Sequence, residues 1–368
     1  MNSNGVTGTL DTLIIGGGQA GLAMGHYLQN QKRTFQILDA NPRTGDAWRQ
    51  RWDSLRVFTP AKYDGLPGVP FPAAPLTFPG KDEVAGYLEG YAAELGLPVI
   101  NGVRVERLWK ENDRFIAAAN GRRWAARNVV VATGCSQAPR VPGFAAELGP
   151  DVVQFHSSEY RNLTQLQDGP VLVVGLGNSG AEIALEVSRT HASFVAGKPG
   201  GELPVKHGPT AARYVLPVVR FVGLHVLTLR NPIGRKAAPA FLAHAAPLIR
   251  TKSKDLVKAG VKLVPRVAGV RDGLPVLEDG TRLAVANVIW CTGYRDDFGW
   301  IDSSMLDDGA LPRQQRGAAL GTPGLFFLGQ EFMYSAASAT LPGVCRDARH
   351  LAAKMPAPVN RGSAVAAA

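Results

Sequence analysis

The chain has 368 residues, of which 45% are hydrophobic and 19% are charged. It is therefore long enough for two folded domains and too apolar for a disordered protein. Cys135, Cys291 and Cys345 lie far apart, which excludes a Cys-x-x-Cys redox pair and a cysteine-based metal site. The formal charge of +10 comes from dispersed basic residues, so it favours phosphate-bearing small molecules over nucleic acid. The polar N-terminus lacks a signal sequence, and we expect a cytoplasmic protein.

A nucleotide-binding pattern opens the chain. An apolar stretch runs into Gly16, Gly18 and Gly21, spaced as Gly-x-Gly-x-x-Gly, and a helical pattern follows. Glycine permits the tight turn, the approach of a pyrophosphate and the close packing of the helix, so that the phosphates lie at the helix N-terminus. A second predicted strand ends at Asp39, which is placed to accept a hydrogen bond from a ribose hydroxyl. The sequence therefore predicts a dinucleotide site here.

The same pattern returns in the middle of the chain, where a second apolar strand precedes Gly175, Gly177 and Gly180. The strand after this fingerprint is followed by Lys198, at a place where an NAD site often carries an acid. A lysine suits a 2′-phosphate, so the sequence favours NADPH over NADH, with Arg189 as a second candidate for that phosphate. The alternative is that Lys198 is a solvated loop residue.

Two further predicted strands end in small residues, at Ala132, Thr133 and Gly134 and again at Thr292 and Gly293. Small residues at a strand end allow the backbone to approach a cofactor or a crossing segment. The cysteines beside these strand ends lack a plausible partner, and we interpret them as inert packing thiols.

A returning strand near the C-terminus ends at Gly329. Because it follows the second fingerprint, we predict an α/β fold with two Rossmann-like dinucleotide-binding domains, the second inserted into the first. The expected limits are 1–168 and 288–355 for the first domain and 169–287 for the second. The remainder, 356–368, is expected to be a disordered tail.

The order of these motifs resembles that of the flavin-dependent monooxygenases with two dinucleotide-binding domains. It is similar in particular to bacterial flavoprotein monooxygenases and to the plant indole-3-pyruvate monooxygenases. The motifs that carry the resemblance span nearly the whole chain, at 16–21, 48–60, 78–83, 156–160, 175–180 and 291–294. The resemblance implies that NADPH reduces FAD, that O2 then forms a C4a-(hydro)peroxyflavin, and that one oxygen atom passes to a small organic substrate.

By this resemblance, the first site holds FAD and the second holds NADPH. The residues expected at FAD are Gly16, Gly18, Gln19, Ala20, Gly21, Asp39, Trp48, Arg49, Trp52, Thr59, Val105, Ala132, Thr133, Gly134, Gly329 and Gln330. The residues expected at NADPH are Gly175, Gly177, Asn178, Ser179, Gly180, Lys198, Thr292 and Gly293. Because the flavin carries the chemistry, the catalytic candidates are limited to Thr59 and Gln330, and no metal is expected. The tryptophans have the alternative interpretation of ordinary core aromatics.

The chain departs from the family pattern at two places. His156 and Tyr160 match the second half of the signature that precedes the NADPH domain, but Pro150 and Val152 stand where Phe and Gly are usual. We interpret His156 as a residue that orients the two domains, and Tyr160 in place of Trp argues against a Baeyer–Villiger enzyme. Many relatives carry an Asn near the flavin; Thr59 is a candidate to supply a hydroxyl there instead, and the alternative is that it belongs to a simple turn before Pro60.

The segment 211–250 looks least like a nucleotide domain. It is apolar but contains Pro217 and Arg220, and it is too short to span a bilayer. We interpret it as a lid or pocket wall over the flavin that selects the substrate. A homodimer contact and docking on a membrane surface are the alternatives.

Two other functions remain open at this point. The first is a flavin-dependent NAD(P)H oxidoreductase that passes electrons to a quinone or another acceptor without oxygen insertion. The second is a non-catalytic flavin-binding regulatory protein. The partners expected for the leading hypothesis are a small organic molecule and O2, without nucleic acid.

Overall fold

The computed structural model describes residues 6–243, 246–307 and 313–357. The strands are β1 (Val6–Ile15), β2 (Phe35–Leu38), β3 (Val99–Ile100), β4 (Arg107–Glu111), β5 (Arg114–Ala119), β6 (Arg122–Val131), β7 (Ala138–Pro139), β8 (Val153–His156), β9 (Val171–Val174), β10 (Ser193–Ala196), β11 (Lys262–Val264), β12 (Val267–Arg271), β13 (Leu274–Leu277), β14 (Asn287–Trp290), β15 (Tyr294–Arg295), β16 (Gln314–Gln315), β17 (Ala318–Ala319) and β18 (Leu325–Phe327).

The helices are α1 (Gln19–Asn30), α2 (Asp46–Arg49), α3 (Lys81–Glu94), α4 (Asn178–Val187), α5 (Pro209–Tyr214), α6 (Leu216–Phe221), α7 (Pro232–Ala243), α8 (Ser253–Lys258) and α9 (Leu341–Lys354). A π-helical turn, Val222–Val226, continues α6. All of the expected tail except its first two residues lies outside the described part of the chain.

The first sheet has nine strands and is built around β1. Its order is β16-β17-β18-β6-β1-β2-β3, and β5 and β4 extend it from β6 as an antiparallel pair. The strands from β18 to β3 are parallel. Their carboxyl ends therefore lie at one edge, where an open α/β sheet binds ligands.

The second sheet has five parallel strands in the order β11-β10-β9-β14-β8. The chain leaves the first sheet after β6, builds the second sheet from β8 to β14, and returns to the first sheet with β16, β17 and β18. The α/β fold with an inserted second unit is therefore confirmed. The second sheet begins at Val153, earlier than the predicted limit of 169, because β8 was not recognised as a strand.

Helices cover both sheets and create a separate hydrophobic core for each. Helix α9 packs against α1 on one face of the first sheet, while α4 packs on β9 and β10 of the second. Leu13, Val130 and Ile289 are fully buried at the centres of the two sheets. No helix in the described ranges is long and apolar enough to cross a membrane.

Candidate nucleotide-binding and active site

The turn between β1 and α1 requires glycine at two positions for steric reasons. Gly16 has φ of +112°, and a Cβ atom there would lie 2.4 Å from the Ala132 carbonyl oxygen. A Cβ atom at Gly21 would lie 1.9 Å from the Gly16 carbonyl oxygen. Both distances are far inside van der Waals contact, so these glycines allow the strand, the turn and the helix to pack together.

Gly18 has a different role in the same turn. It precedes the first residue of α1 in an extended conformation, with φ of −78°, and no side chain caps the helix. A Cβ atom at Gly18 would meet nothing within 4 Å. The N-terminus of α1 therefore faces open space with backbone N–H groups that the helix cannot satisfy, which is the arrangement that binds a pyrophosphate. Gln19 and Ala20 form the first turn of this helix.

Asp39 follows β2 and braces this turn. Its Oδ2 accepts a hydrogen bond of 2.5 Å from the Gly17 backbone N–H. Its Oδ1 accepts hydrogen bonds from the backbone N–H and the side-chain amide of Asn41, at 2.7 and 2.9 Å. Asp39 thus holds the glycine turn in shape, and a Cβ atom at Gly17 would lie 2.9 Å from its carboxylate. Gly17, a variable position in the fingerprint, is required here for this reason.

The turn between β9 and α4 repeats the first turn closely. Gly175 has φ of +108°, and a Cβ atom there would lie 2.3 Å from the Cys291 carbonyl oxygen. A Cβ atom at Gly180 would lie 1.9 Å from the Gly175 carbonyl oxygen. Gly177 precedes α4 with φ of −92° and without a side-chain cap. Two helix N-termini of equivalent geometry therefore lie at the carboxyl edges of two parallel sheets.

The side chain of Asn178, the residue after Gly177, contacts a neighbouring loop and does not face the turn. Asn178 donates a hydrogen bond of 3.0 Å to the Pro247 carbonyl and accepts one of 2.9 Å from the Ile249 N–H. Its side chain therefore holds the 247–249 loop, and only the backbone of Asn178 is available to a phosphate.

Lys198 lies two residues beyond β10, at the same edge of the second sheet as the glycine turn, and its side chain is exposed. Arg189 lies beyond the opposite end of α4. A helix of ten residues is about 15 Å long, so Arg189 is too distant to assist Lys198, and that prediction is wrong.

Small residues at the neighbouring strand ends leave space at both turns. A Cβ atom at Gly134 or at Gly293 would meet nothing within 4 Å. The hydroxyl of Thr133 accepts a hydrogen bond of 3.0 Å from Gln137, and the hydroxyl of Thr292 donates to the Arg140 carbonyl.

The strand that returns to the first sheet ends against the first turn. Gly329 has φ of +82°, and a Cβ atom there would lie 2.9 Å from Ala20. Gln330 is buried and donates a hydrogen bond of 2.9 Å to the Gly134 carbonyl. Gln330 therefore ties two strand-end loops together at the edge where the first nucleotide is expected.

Some residues expected to contact FAD are engaged with the protein instead. Arg49 forms ion pairs of 2.9 and 2.8 Å with Asp46 and Glu89. Trp52 is 5% exposed and packs in the hydrophobic core of the second sheet, and Val105 packs in a core of the first. These contacts favour structural roles for the three side chains. Trp48 is half-buried beside the core that contains α1 and α3.

The comparisons with known proteins agree with this geometry. Residues 13–204 match the model of the family described as pyridine nucleotide-disulphide oxidoreductase. An oxidoreductase of Geobacillus kaustophilus named CzcO-like is 37% identical over 93% of this chain and 97% of its own length. Indole-3-pyruvate monooxygenase YUCCA1 of Oryza sativa is 28% identical over 81% of this chain and 79% of its own length. A flavin-containing monooxygenase from Stenotrophomonas maltophilia has a TM-score of 0.75 and 29% identity, over 94% of this chain and 98% of its own.

The chain belongs to the pyridine nucleotide-disulphide oxidoreductase family. Within it, the relatives place the chain among the flavin monooxygenases, as the motifs predicted. Cys135, Cys291 and Cys345 are all free. Burial raises the pKa of the Cys291 and Cys345 thiols to about 12, so these thiols stay protonated and are poor nucleophiles.

His156 lies at the carboxyl edge of the second sheet, where β8 pairs with β14, and its role in orienting the two domains stays a prediction. It is the last residue of β8, and its Nε2 donates a hydrogen bond of 3.0 Å to the Gly293 carbonyl. Its Nδ1 accepts from the Ser158 N–H at 3.1 Å. Burial lowers the pKa of His156, so the ring is neutral at pH 7. The imidazole holds the loop at which the chain begins its return to the first sheet.

A buried carboxylate, Glu186, was not found by sequence reasoning. Tyr160 is fully buried and donates a hydrogen bond of 2.9 Å to Glu186 on α4. The second carboxylate oxygen of Glu186 accepts from the Ser54 hydroxyl. Glu186 therefore joins the first-domain segment around Trp52 to the second sheet. A helical Glu among apolar residues was the available signal, but its partners are distant in sequence.

Asp64 is the second residue that the sequence did not single out. Its side chain is fully buried, and one oxygen accepts a hydrogen bond from the Thr59 hydroxyl. Its other oxygen has no hydrogen-bond partner among the described residues. Burial raises the pKa of Asp64 to about 7, an effect that the bond from Thr59 opposes. The hydroxyl that was expected to face the flavin thus donates to Asp64.

Proposed function

We propose that the protein is an FAD- and NADPH-dependent monooxygenase that transfers one oxygen atom from O2 to a small organic substrate. The observation that carries the proposal is the repeated open turn, in which Gly18 and Gly177 each leave a helix N-terminus uncapped. The names of the relatives, a plant indole-3-pyruvate monooxygenase and a bacterial flavin-containing monooxygenase, support the reaction class.

The first turn is suited to the FAD pyrophosphate. The backbone N–H groups of the first turn of α1 bind it, and the space in front of Gly18 admits it. Asp39 keeps the turn in shape and its remaining lone pairs accept from a ribose hydroxyl. Gly134 and Gln330 lie at the same edge and approach the remainder of the cofactor by backbone and amide contacts.

The second turn is suited to NADPH. The N-terminus of α4 binds the pyrophosphate, and the exposed Lys198 beside it binds the 2′-phosphate. His156 sets the position of the Gly293 loop and with it the approach of the second sheet to the first. When bound, the two cofactors supply hydride transfer and the activation of dioxygen.

One observation favours a second candidate, a flavin-dependent oxidoreductase that passes electrons to another acceptor without oxygen insertion. The Thr59 hydroxyl already donates to Asp64, so it does not offer a hydrogen atom to an oxygen adduct. Without a hydrogen bond from Thr59, the site would be less suited to oxygen transfer, and a bound flavin would be left to pass its electrons directly to a separate acceptor.

The two candidates are distinguished by labelled dioxygen. The purified protein, incubated with NADPH and a panel of small organic compounds under ¹⁸O2, is expected to yield one product with a single labelled oxygen atom, detected by mass. NADPH oxidation without labelled product, together with rapid reduction of an added quinone, would establish the second candidate instead. A yellow protein whose flavin is not reduced by NADPH would exclude both and leave a non-catalytic flavin-binding protein.

A further inference from the structure

A cavity of about 540 Å³ lies between the segment that follows Pro60 and the first turn of α9. Its volume is in the range of pockets for small molecules. Leu66, Phe71 and Pro342 are among its apolar lining residues. The charged side chains that line it are Lys62 and Arg220, and no acidic residue lines it in the described part of the chain.

The cavity adjoins the first nucleotide site. Gln19, the first residue of α1, donates a hydrogen bond of 3.0 Å to the Ala339 carbonyl, just before α9 begins. Pro342 in the first turn of α9 lines the cavity. On the opposite side, Ala61 lines it two residues after Thr59. A molecule in the cavity therefore lies next to the place where the flavin is expected.

The wall formed by residues 60–75 is held rigidly. The Tyr87 hydroxyl donates a hydrogen bond of 2.7 Å to the Val69 carbonyl and accepts one of 2.5 Å from the Leu66 N–H. The Tyr91 hydroxyl donates one of 2.8 Å to the Pro67 carbonyl. These bonds fix the apolar wall to α3, so the cavity is formed before any ligand arrives.

Arg220 is the unusual group in this cavity. It lies on α6, and its guanidinium carbon is 4.6 Å from the centre of the Tyr63 ring. Its Nε is buried and has no hydrogen-bond partner among the described residues, and no described carboxylate pairs with its guanidinium. A buried donor without an acceptor is costly, so an anion that enters the cavity would gain a pre-positioned partner.

The surroundings of Arg220 are positive. Lys62 places its ammonium 4.8 Å from the centre of the same Tyr63 ring. A neighbouring cavity of about 620 Å³ shares Lys62 and also contains Arg213. The sequence from 203 to 254, which carries Arg220, has nine Lys and Arg residues and no Asp or Glu, although Glu202 and Asp255 flank it and Arg250 pairs with Glu182. This field attracts anions towards the cavity.

Asp64 does not neutralise this charge. It follows Tyr63 in the chain, but one of its oxygens accepts from Thr59 and its side chain is fully buried. No ion pair joins it to Lys62 or Arg220. Among the described residues, the two cations therefore have no counter-charge at the cavity.

We propose that this cavity binds the substrate and that the substrate is a small organic carboxylate, held by Arg220 while its apolar body packs against Leu66 and Phe71. The planar guanidinium matches a carboxylate in shape and charge. The inference deepens the proposed function and rests on it, since it assigns α6 as the wall of the same active site.

The test compares acids with their uncharged amides. Binding of benzoate, benzamide, hexanoate and hexanamide to the flavin-loaded protein is measured by titration calorimetry. Each acid is expected to bind about 10-fold or more tightly than its amide, the range for a charge-assisted hydrogen bond. Equal binding of acid and amide, or no binding of either acid, would overturn the proposal. Competition by inorganic phosphate as effective as that of benzoate would also overturn it, because the cavity would then bind charge alone.

Three variants locate the effect. Arg220→Gln is expected to abolish the preference for the acid, and Arg220→Lys is expected to retain part of it. Arg230→Gln removes a charge from an exposed residue of the same segment and is expected to leave the preference unchanged. If Arg220→Gln lowers the flavin content or the Tm, the Arg220→Lys variant is used for the decision. A preference for the acid as large as that of the wild type in Arg220→Lys would contradict the bidentate contact.

Failure of the carboxylate proposal can be distinguished from failure of the proposed monooxygenase function. Wild-type protein that is reduced by NADPH and inserts labelled oxygen, but does not prefer acids to amides, would refute the carboxylate and leave the monooxygenase. A preference that depends on Arg220 without any labelled product would leave the pocket and refute the oxygen transfer.

Discussion

The assignment of the second nucleotide site depends most directly on Lys198, and the variant Lys198→Ala tests it. Lys198 is exposed, and no hydrogen bond or ion pair joins its side chain to another described residue, so its removal should leave the fold intact. We therefore expect the thermal unfolding temperature to be unchanged, and any effect on the dinucleotide to come from the lost contact with it.

The size of the effect follows from the exposure of Lys198. A charge-assisted hydrogen bond contributes about 1.5–3 kcal/mol. Solvent and salt screen an exposed contact, so the lower end applies. Since ~1.4 kcal/mol corresponds to a factor of ten, the KM for NADPH should rise about 10-fold. The KM for NADH, which lacks the 2′-phosphate, should not change.

The assay measures the reduction of the flavin by NADPH and by NADH in the absence of oxygen. The loss of flavin absorbance reports this reduction. Arg189→Ala is the matched control, because it removes an exposed cation of the same domain from the far end of α4. Raised ionic strength should weaken NADPH binding to the wild type more than to Lys198→Ala. If Lys198→Ala affects NADPH and NADH equally, the 2′-phosphate is bound elsewhere and the assignment is wrong.

Four other predictions address the turns and the buried polar groups. Gly18→Ala should change the free energy of unfolding by less than about 0.5 kcal/mol, because the added methyl group meets nothing within 4 Å, yet it should lower the flavin content of the purified protein. Gly21→Ala should destabilise by roughly 1–3 kcal/mol or more, because its methyl group would lie 1.9 Å from a carbonyl oxygen; equal stability of these two variants would contradict the geometry of the turn. The pKa of Asp64 is raised by burial from 3.8 to about 7, so stability from its neutral form is lost as pH rises through that interval, and Asp64→Asn should flatten the fall in urea-unfolding free energy there. Tyr160→Phe should cost about 1 kcal/mol in the same measurement, because it removes the hydrogen bond to Glu186; no loss would show that the Ser54 contact alone holds this carboxylate.

The fold was largely predictable because its main signals are local. Glycine spacing, an apolar strand before it and a helical pattern after it occur within about 20 residues, and Gly16 and Gly175 show why that spacing is required. The insertion of the second unit followed from the order of these local signals. Strand β8 was missed although the turn residues Gly149, Pro150 and Asp151 precede it, because its four residues include the polar Gln154 and His156 and lack the continuous apolar run of β9.

The candidate site was predictable only where backbone geometry defines it. The glycine positions depend on sterics that any sequence with that turn must obey. The partners of Thr59, Arg49 and Asn178 were not predictable, because their hydrogen bonds depend on which loops meet in three dimensions. Arg220 could not be placed either, since whether its side chain faces the solvent or a cavity depends on how α6 packs.

Because the two turns share their geometry, the turns themselves cannot distinguish their ligands. The difference has to come from the residue after the strand that follows each turn and its helix. At the first turn this residue is Asp39, whose carboxylate holds the Gly17 N–H and would repel a phosphate on the ribose. At the second turn the corresponding strand is followed by Lys198, whose exposed ammonium attracts such a phosphate. Exchange of the two cofactors between the sites would place a 2′-phosphate against Asp39. On the proposed function, the charge of these two residues therefore directs FAD to the first turn and NADPH to the second, although each turn would bind a pyrophosphate in the same way.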